Sequence, residues 1–267
     1  MKYFAKISLF LALPALLLFS CDQEEIIELD LNGAPAQYVI EGSVTDEAKP
    51  FQVRISKTVE VDQPNDFPAV SGAVVVISDD SGRIDTLSET LPGMYETTQA
   101  IPGASGRTYT LQVWVAGHYF SAHSTMPALV PFQDLRVIPL PFGGENTLVM
   151  TPIFTDPAGL GNNYQFVQSN NGVRQPYIFV ADDRNNDGAQ ISTLLLSPDL
   201  ETLKGDTVSV EMRNIDRATY KYFVALDASN GNGPNASVPA NPNNHFEGAC
   251  LGYFAAYTVQ RKSVIVE

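Results

Sequence analysis

The 267-residue chain is acidic, with a formal net charge of −14 and a pI of about 4.5. Such a surface repels nucleic acid and anionic lipid, so neither is expected to bind it directly. The chain has two cysteines, Cys21 and Cys250, which excludes a disulfide framework and a metal site built of cysteines. Cys250 lies in an apolar run and is predicted to be a buried structural thiol rather than a nucleophile.

The N-terminus has the pattern of an export signal. A basic segment, Met1–Lys6, precedes an almost continuous apolar run, Ile7–Phe19, that is too short to span a bilayer. The pattern predicts a cleavable signal peptide over residues 1–20. At its end, Leu18–Cys21 resembles the lipobox of bacterial lipoproteins, with a small residue just before the cysteine. The resemblance implies lipid transfer to Cys21 and cleavage before it. An ordinary secretory signal with a chance cysteine is the alternative.

An acidic segment follows the cysteine. Residues 21–36 are short of aromatic residues and rich in acid, and they are predicted to form a solvated tether. Asp22–Glu25 also resembles the surface-export signal of Bacteroidota lipoproteins. That resemblance implies an outer-membrane protein that faces the cell exterior. The two interpretations are compatible.

Residues 37–127 alternate apolar and polar side chains between turn residues, which is typical of strands with one buried face. The seven short segments predict a β-sandwich of the immunoglobulin or transthyretin type. Gly72–Ile77 is expected to be a buried strand, and Ala116–Gly117 to make a tight connection between two strands. The predicted strands are Tyr38–Val44, Phe51–Ile55, Gly72–Ile77, Ile84–Leu87, Gly93–Tyr95, Tyr109–Val115 and His118–Ser124.

Prolines and glycines in residues 127–146 predict a domain boundary near Met126–Pro131, with a second β-rich domain over residues 128–267. Helical spacing over Asn214–Leu226 predicts one short helix, capped by Asn214 or Asp216, and residues 227–245 are expected to form a loop. The fold class is therefore all-β with one helix. The predicted strands are Leu148–Phe154, Tyr164–Gln168, Tyr177–Ala181, Ile191–Leu195, Thr207–Met212, Gly252–Val259 and Val264–Val266.

The segment Asp183–Gly188 begins like a calcium-binding loop, with oxygen-bearing side chains at Asp183, Asn185 and Asp187. Position twelve of such a loop is Leu194 here, where a bidentate glutamate is needed. The favoured interpretation is a hairpin turn at Asp187-Gly188. A calcium site outside a helical frame is the weaker alternative, and no cofactor is expected.

Motifs of common enzymes are absent from the sequence, and we expect no catalytic activity. The chain has no nucleophile elbow, no zinc-protease motif and no phosphate-binding loop. His118 and His123 are at odd spacing on one predicted strand, so they should point to opposite faces and share no metal. Tyr253, Phe254 and Tyr257 are expected to pack in a core, with sugar or peptide stacking as the alternative.

Two resemblances add to this pattern. Residues 70–125 resemble the carboxypeptidase-regulatory or transthyretin-like sandwich, which implies a fold and no activity. The residues that carry this resemblance are Val70–Val76, Asp80–Gly82, Gly93–Tyr95 and Gly106–Val113.

Nearly the whole mature chain is similar to a Bacteroidota lipoprotein family, domain of unknown function 4249. The match lies in Val39–Gly42, Val70–Val74, Ile215–Tyr222 and, most strongly, Asn241–Tyr257. The chain departs from the family pattern at His245–Glu247 and at Cys250. The family resemblance implies a TonB-dependent transporter as a partner, because members tend to be encoded beside one. It carries over no catalytic residue.

Together these patterns predict a non-catalytic outer-membrane lipoprotein, anchored through Cys21, that acts as an accessory or binding partner of a TonB-dependent transport system. Two alternatives remain open. One is a surface enzyme that hydrolyses glycans or peptides, because paired carboxylates are common in so acidic a chain. The other is a purely structural envelope or adhesion module.

Overall fold

A computed structural model describes residues 35–60, 64, 66–140, 148–197, 202–229, 242 and 244–267. These residues form an all-β fold with one short helix, which confirms the predicted fold class. None of the helical segments in these ranges has the length and apolar character to cross a membrane. The signal peptide over residues 1–20 and nearly all of the predicted tether lie outside the described residues.

The strands and the helix are numbered in chain order. They are β1 Tyr38–Thr45, β2 Gln52–Lys57, β3 Val74–Asp79, β4 Ile84–Thr86, β5 Ser88–Leu91, β6 Met94–Glu96, β7 Thr108–Val115, β8 His118–Thr125, β9 Phe132–Pro139, β10 Leu148–Thr155, β11 Asn163–Asn170, β12 Val173–Arg174, β13 Phe179–Asp182, β14 Gln190–Ser192, β15 Thr207–Ile215, α1 Arg217–Ser229 and β16 Cys250–Ile265.

The strands form three sheets. The largest has nine strands in the order β12-β11-β15-β16-β1-β2-β6-β5, with β13 paired to β11. A four-stranded sheet, β4-β3-β7-β8, packs over the β1–β2 end, and a three-stranded sheet, β14-β10-β9, packs over the β11–β15 end. The nine-stranded sheet therefore runs through both segments that the sequence predicts as domains, 37–127 and 128–267. That division of the chain stays a prediction.

The first core lies between the nine-stranded and four-stranded sheets. Val53 and Ile55 of β2 are fully buried while Gln52 and Arg54 are exposed, as the alternation predicts. The predicted burial of Gly72–Ile77 is wrong in part. Val75 and Ile77 are buried, but Val74 is 53% exposed because one face of β3 is not covered by another sheet.

The second core packs the three-stranded sheet against β11 and β15. Phe154 of β10 contacts the rings of Tyr164 and Phe166 of β11 at centroid distances of 4.6 and 5.9 Å. All three rings are buried, and Met212 of β15 is buried in the same cluster. Aromatic rings at this spacing add to the stabilisation that comes from burying their area.

The last strand joins the two cores. β16 is one strand of 16 residues, where the sequence predicts two shorter strands, Gly252–Val259 and Val264–Val266. Its first half, Cys250–Tyr257, pairs in parallel with β1, and its second half, Thr258–Ile265, pairs antiparallel with β15. Phe254 accordingly lies in the first core, and Val264 packs against the second.

The predicted helix is confirmed and shifted by three residues at each end. It begins at Arg217, and the Asp216 carboxylate caps it by accepting a hydrogen bond from the Thr219 N–H at 2.8 Å. The second oxygen of Asp216 accepts hydrogen bonds from the Ser124 hydroxyl at 2.6 Å and the Thr125 N–H at 3.2 Å. Asp216 thus ties the helix to the end of β8.

Asp216→Ala is expected to lower the free energy of unfolding by about 2 kcal/mol, because it removes the helix cap and leaves partners on β8 unpaired. Urea denaturation followed by circular dichroism measures the change. Asp227→Ala is the matched control on the same helix, because burial alone raises the pKa of Asp227 and its removal relieves that burial. Equal losses in the two variants would contradict the capping role.

Candidate functional site

Cys21, the predicted lipidation site, and the acidic segment Asp22–Glu25 lie outside the described residues. Their roles stay predictions.

The candidate calcium loop uses its carboxylates to hold a neighbouring loop. Asp183 is buried, and its Oδ2 accepts hydrogen bonds from the N–H groups of Gly161 at 2.6 Å and Asn162 at 2.8 Å. Asp187 accepts one from Gly159 at 2.6 Å, whereas Asn185 is exposed. Within the described ranges, no group of three or more His, Cys, Asp or Glu side chains is placed to hold a metal ion.

The predicted hairpin at Asp187-Gly188 is wrong. The segment does turn, but β13 pairs with β11 in the nine-stranded sheet, and β14 pairs with β10 in the three-stranded sheet. The strands on either side of the turn therefore belong to two packed sheets. Turn residues between two short strands do not distinguish such a crossing from a hairpin.

The three histidines and Cys250 lie on or beside strands of the sandwich. His118 and His123 are on opposite faces of β8, as predicted, and His245 Nε2 hydrogen-bonds with the Phe254 carbonyl at 2.8 Å. Cys250 is buried, and burial raises the pKa of its thiol to about 12. The thiol is therefore protonated at neutral pH, and Cys250 is the structural residue that the sequence predicts.

The C-terminal aromatic residues are packed, which confirms their predicted core role. Phe254 and Tyr257 are buried, and the Tyr253 ring lies 5.5 and 5.0 Å from those of Tyr222 and Phe223 of α1. These side chains attach the helix to β16. They do not form an open stacking surface.

The exposed aromatic residues are elsewhere, on the outer face of the four-stranded sheet. The strand registers place Val74, Trp114 and Tyr119 side by side on β3, β7 and β8, and we call these three residues the aromatic row. They are 53%, 41% and 43% exposed, respectively. The Trp114 and Tyr119 rings are 5.3 Å apart, and Gln112 donates a hydrogen bond to the Tyr119 hydroxyl at 3.0 Å.

The surroundings of the aromatic row are mostly polar. The next row on the same face holds Val76, Gln112 and Ser121, and the following row holds Ser78, Thr110 and His123. The row is thus a compact apolar patch that continues into Val76 on β3 and is bordered by polar side chains on β7 and β8. The sequence itself contains a signal for this patch. The chain's single tryptophan lies between the buried Val113 and Val115 in an alternating strand, so it must face outward.

A cavity of about 390 Å³ lies at the same end of the sandwich, where the described chain begins. Lys57 Nζ lies 4.9 Å from the Tyr38 ring centre, and the His118 ring is 5.3 Å from the same ring. The cavity therefore joins the start of β1 to the edge of the aromatic row. Its lining residues are Pro35, Ala36, Gln37, Tyr38, Lys57, His118, Tyr119, Phe120 and Ala249.

Comparisons with known proteins give one family. No curated protein matches the chain. Among solved structures, a cytokine receptor complex (crystal form 1A) is similar at 11% identity and a TM-score of 0.27, covering 84% of this chain and 94% of that one. A two-domain fibronectin type-III segment from chicken tenascin is similar at 12% identity and a TM-score of 0.22, covering 67% of this chain and 91% of that one. The sequence model described as domain of unknown function (DUF4249) matches residues 24–263, and the chain belongs to that family.

Proposed function

We propose that the protein is a non-catalytic lipoprotein of the outer-membrane surface, anchored through Cys21, which binds a TonB-dependent transporter through the aromatic row. The observation that carries the proposal is the exposed aromatic row itself. The lipobox and the family resemblance supply the anchor and the class of partner.

The aromatic row has the chemistry of a protein-binding hot spot. Tryptophan and tyrosine are enriched among the residues that dominate binding energy, and they act best in a compact patch that a polar border shields from water. Three hydrogen-bonded strands hold Val74, Trp114 and Tyr119 in register, so little conformational entropy is lost when a partner covers them. Contiguous exposed apolar residues with polar neighbours are a common feature of interaction sites, which supports the proposal.

A short predicted tether would keep the aromatic row within reach of a membrane protein. Residues 21–34 span at most roughly 50 Å when fully extended, so the fold stays close to the lipid surface. Pro35, near the end of the predicted tether, lines the same cavity as Tyr119. The net charge of −14 disfavours direct contact with anionic lipid, and it therefore favours a protein as the occupant of the row.

Trp114→Ala is expected to reduce transporter recovery strongly, since hot-spot truncations cost about 2 kcal/mol or more, which is roughly 30-fold in affinity. The measurement is co-purification of the tagged full chain from detergent-solubilised outer membrane, with the captured β-barrel identified by mass spectrometry. The fold should be retained, because the Trp114 side chain is 41% exposed.

Leu160→Ala is the control, because Leu160 is 71% exposed on a loop beside the second core. It should recover as much transporter as the wild type. If the wild type captures no outer-membrane barrel, the proposed partner is wrong. Surface display without a transport defect on deletion would then favour a structural envelope module.

A further inference from the structure

A second surface lies on the outer face of the nine-stranded sheet, beside the part that α1 covers. The strand registers place Ser169, Ser209 and Ser263 side by side on β11, β15 and β16, and we call these the serine row. Arg174 on β12 extends the same row beyond Ser169. Neighbouring strands are roughly 4.8 Å apart, so the three hydroxyl groups have similar spacing. No described residue makes a side-chain hydrogen bond to them.

Two further arginines lie beside the serine row, and both are paired. Glu211 lies between Arg213 Nε and Arg261 Nη2, each 2.5 Å from a carboxylate oxygen. Arg261 also contacts Glu47 at 2.5 Å. Burial disfavours the charge on Glu211, but the two guanidinium groups outweigh burial and hold its pKa below the ordinary value. Glu211 therefore stays ionised and is satisfied within the protein.

These residues line a cavity of about 310 Å³, near the lower end of the range typical of small-ligand pockets. Around it, three guanidinium groups face two carboxylates, in a chain whose net charge is −14. Arg174 makes no ion pair with any residue in the described ranges. The pocket thus offers one unpaired guanidinium and a row of free hydroxyl groups.

We propose that this pocket binds a sugar acid, with its carboxylate on Arg174 and its hydroxyl groups on the serine row. A guanidinium group matches a carboxylate in two parallel hydrogen bonds. One unpaired positive charge suits a singly charged carboxylate better than a doubly charged phosphate. Serine hydroxyls both donate and accept hydrogen bonds, as sugar hydroxyls do. The acid can be free or the terminal residue of an acidic glycan. The proposal depends on neither the lipid anchor nor the transporter.

The test is calorimetric titration of the purified full chain in detergent with galacturonate, galactose, oligogalacturonate and inorganic phosphate. Galacturonate should bind at least tenfold more tightly than galactose, because a hydrogen-bonded charge pair contributes that much. Added salt should weaken its binding. Tighter binding of oligogalacturonate than of galacturonate would identify a glycan as the source, and equal binding would identify the free acid.

Arg174→Gln should weaken galacturonate binding at least tenfold. The side chain is exposed at the edge of the sheet, so the fold should not change. Arg54→Gln is the matched control, because it removes the same charge from an exposed position on β2. Equal affinities of the two variants would overturn the proposal. So would equal binding of galactose and galacturonate, binding of phosphate as tight as that of galacturonate, or no binding of galacturonate at millimolar concentration.

Discussion

Replacing Gly252 by alanine is expected to lower the free energy of unfolding by about 4 kcal/mol, a loss at the extreme of single substitutions. Gly252 has φ of +105° in β16, where it pairs with Ile40 of β1. A Cβ atom there would overlap the carbonyl oxygen of Ile40 and come within 2.7 Å of its carbonyl carbon. Because both atoms belong to backbone, no side-chain rotation relieves the contact. The pairing of β1 with β16 has to open locally.

Gly82→Ala separates this clash from backbone strain. Gly82 has φ of +92° in the turn after β3, and a Cβ atom there meets nothing within 4 Å. Its replacement should cost only about 1 kcal/mol, the ordinary cost of a left-handed conformation for a residue with a side chain. Urea denaturation followed by Trp114 fluorescence and circular dichroism measures both variants. Equal losses would mean that the close approach of β16 to β1 does not constrain residue 252.

Cys21→Ser is expected to abolish lipidation completely, because the thiol is the acceptor that the lipobox resemblance implies. Acyl chains supply membrane affinity at roughly 0.8 kcal/mol per buried CH₂ group, and an acidic protein adds none on anionic lipid. The variant should therefore lose its stable anchor. Its fold should be unchanged, because residues 35–267 form one compact unit that does not include residue 21.

Mass is the decisive measurement for Cys21, because an uncut signal peptide can still hold some of the variant at the inner membrane. Intact-mass analysis or labelled fatty acids should show acyl chains on a wild-type chain that begins at Cys21, and none on the variant. A wild-type chain that is unlipidated, or that begins elsewhere, would refute the anchor and the proposed transporter complex. Sugar-acid binding would be unaffected.

Local alternation in the sequence predicts the strands around the first core well. In β7, buried Tyr109, Leu111 and Val113 alternate with more exposed residues. The alternation within this one segment is therefore enough to predict both the strand and its buried face. The sequence predicts two strands in place of β16 because Gln260–Ser263 is polar. That run continues the strand, with Arg261 and Ser263 on the open face of the sheet, where polar side chains are stable.

The candidate surfaces could not be predicted from single segments. Trp114 could be assigned outward from the alternation alone, but its neighbour Val74 comes from a strand distant in sequence. The serine row draws one residue from each of three strands. Such rows depend on the register between strands, which is set by the packing of both cores and not by local pattern.

The position of β16 also determines when the chain can finish folding. Gly42 of β1 has Phe254 as its register partner, and Cys250, Phe254 and Ala256 complete the first core. The first described strand, β1, therefore lacks one neighbour until nearly the whole chain has been synthesised. Contacts between such distant residues carry a large loop-closure cost and slow folding. A nascent chain that ends before residue 250 keeps its first core incomplete, which would favour the unfolded state that the proposed export requires.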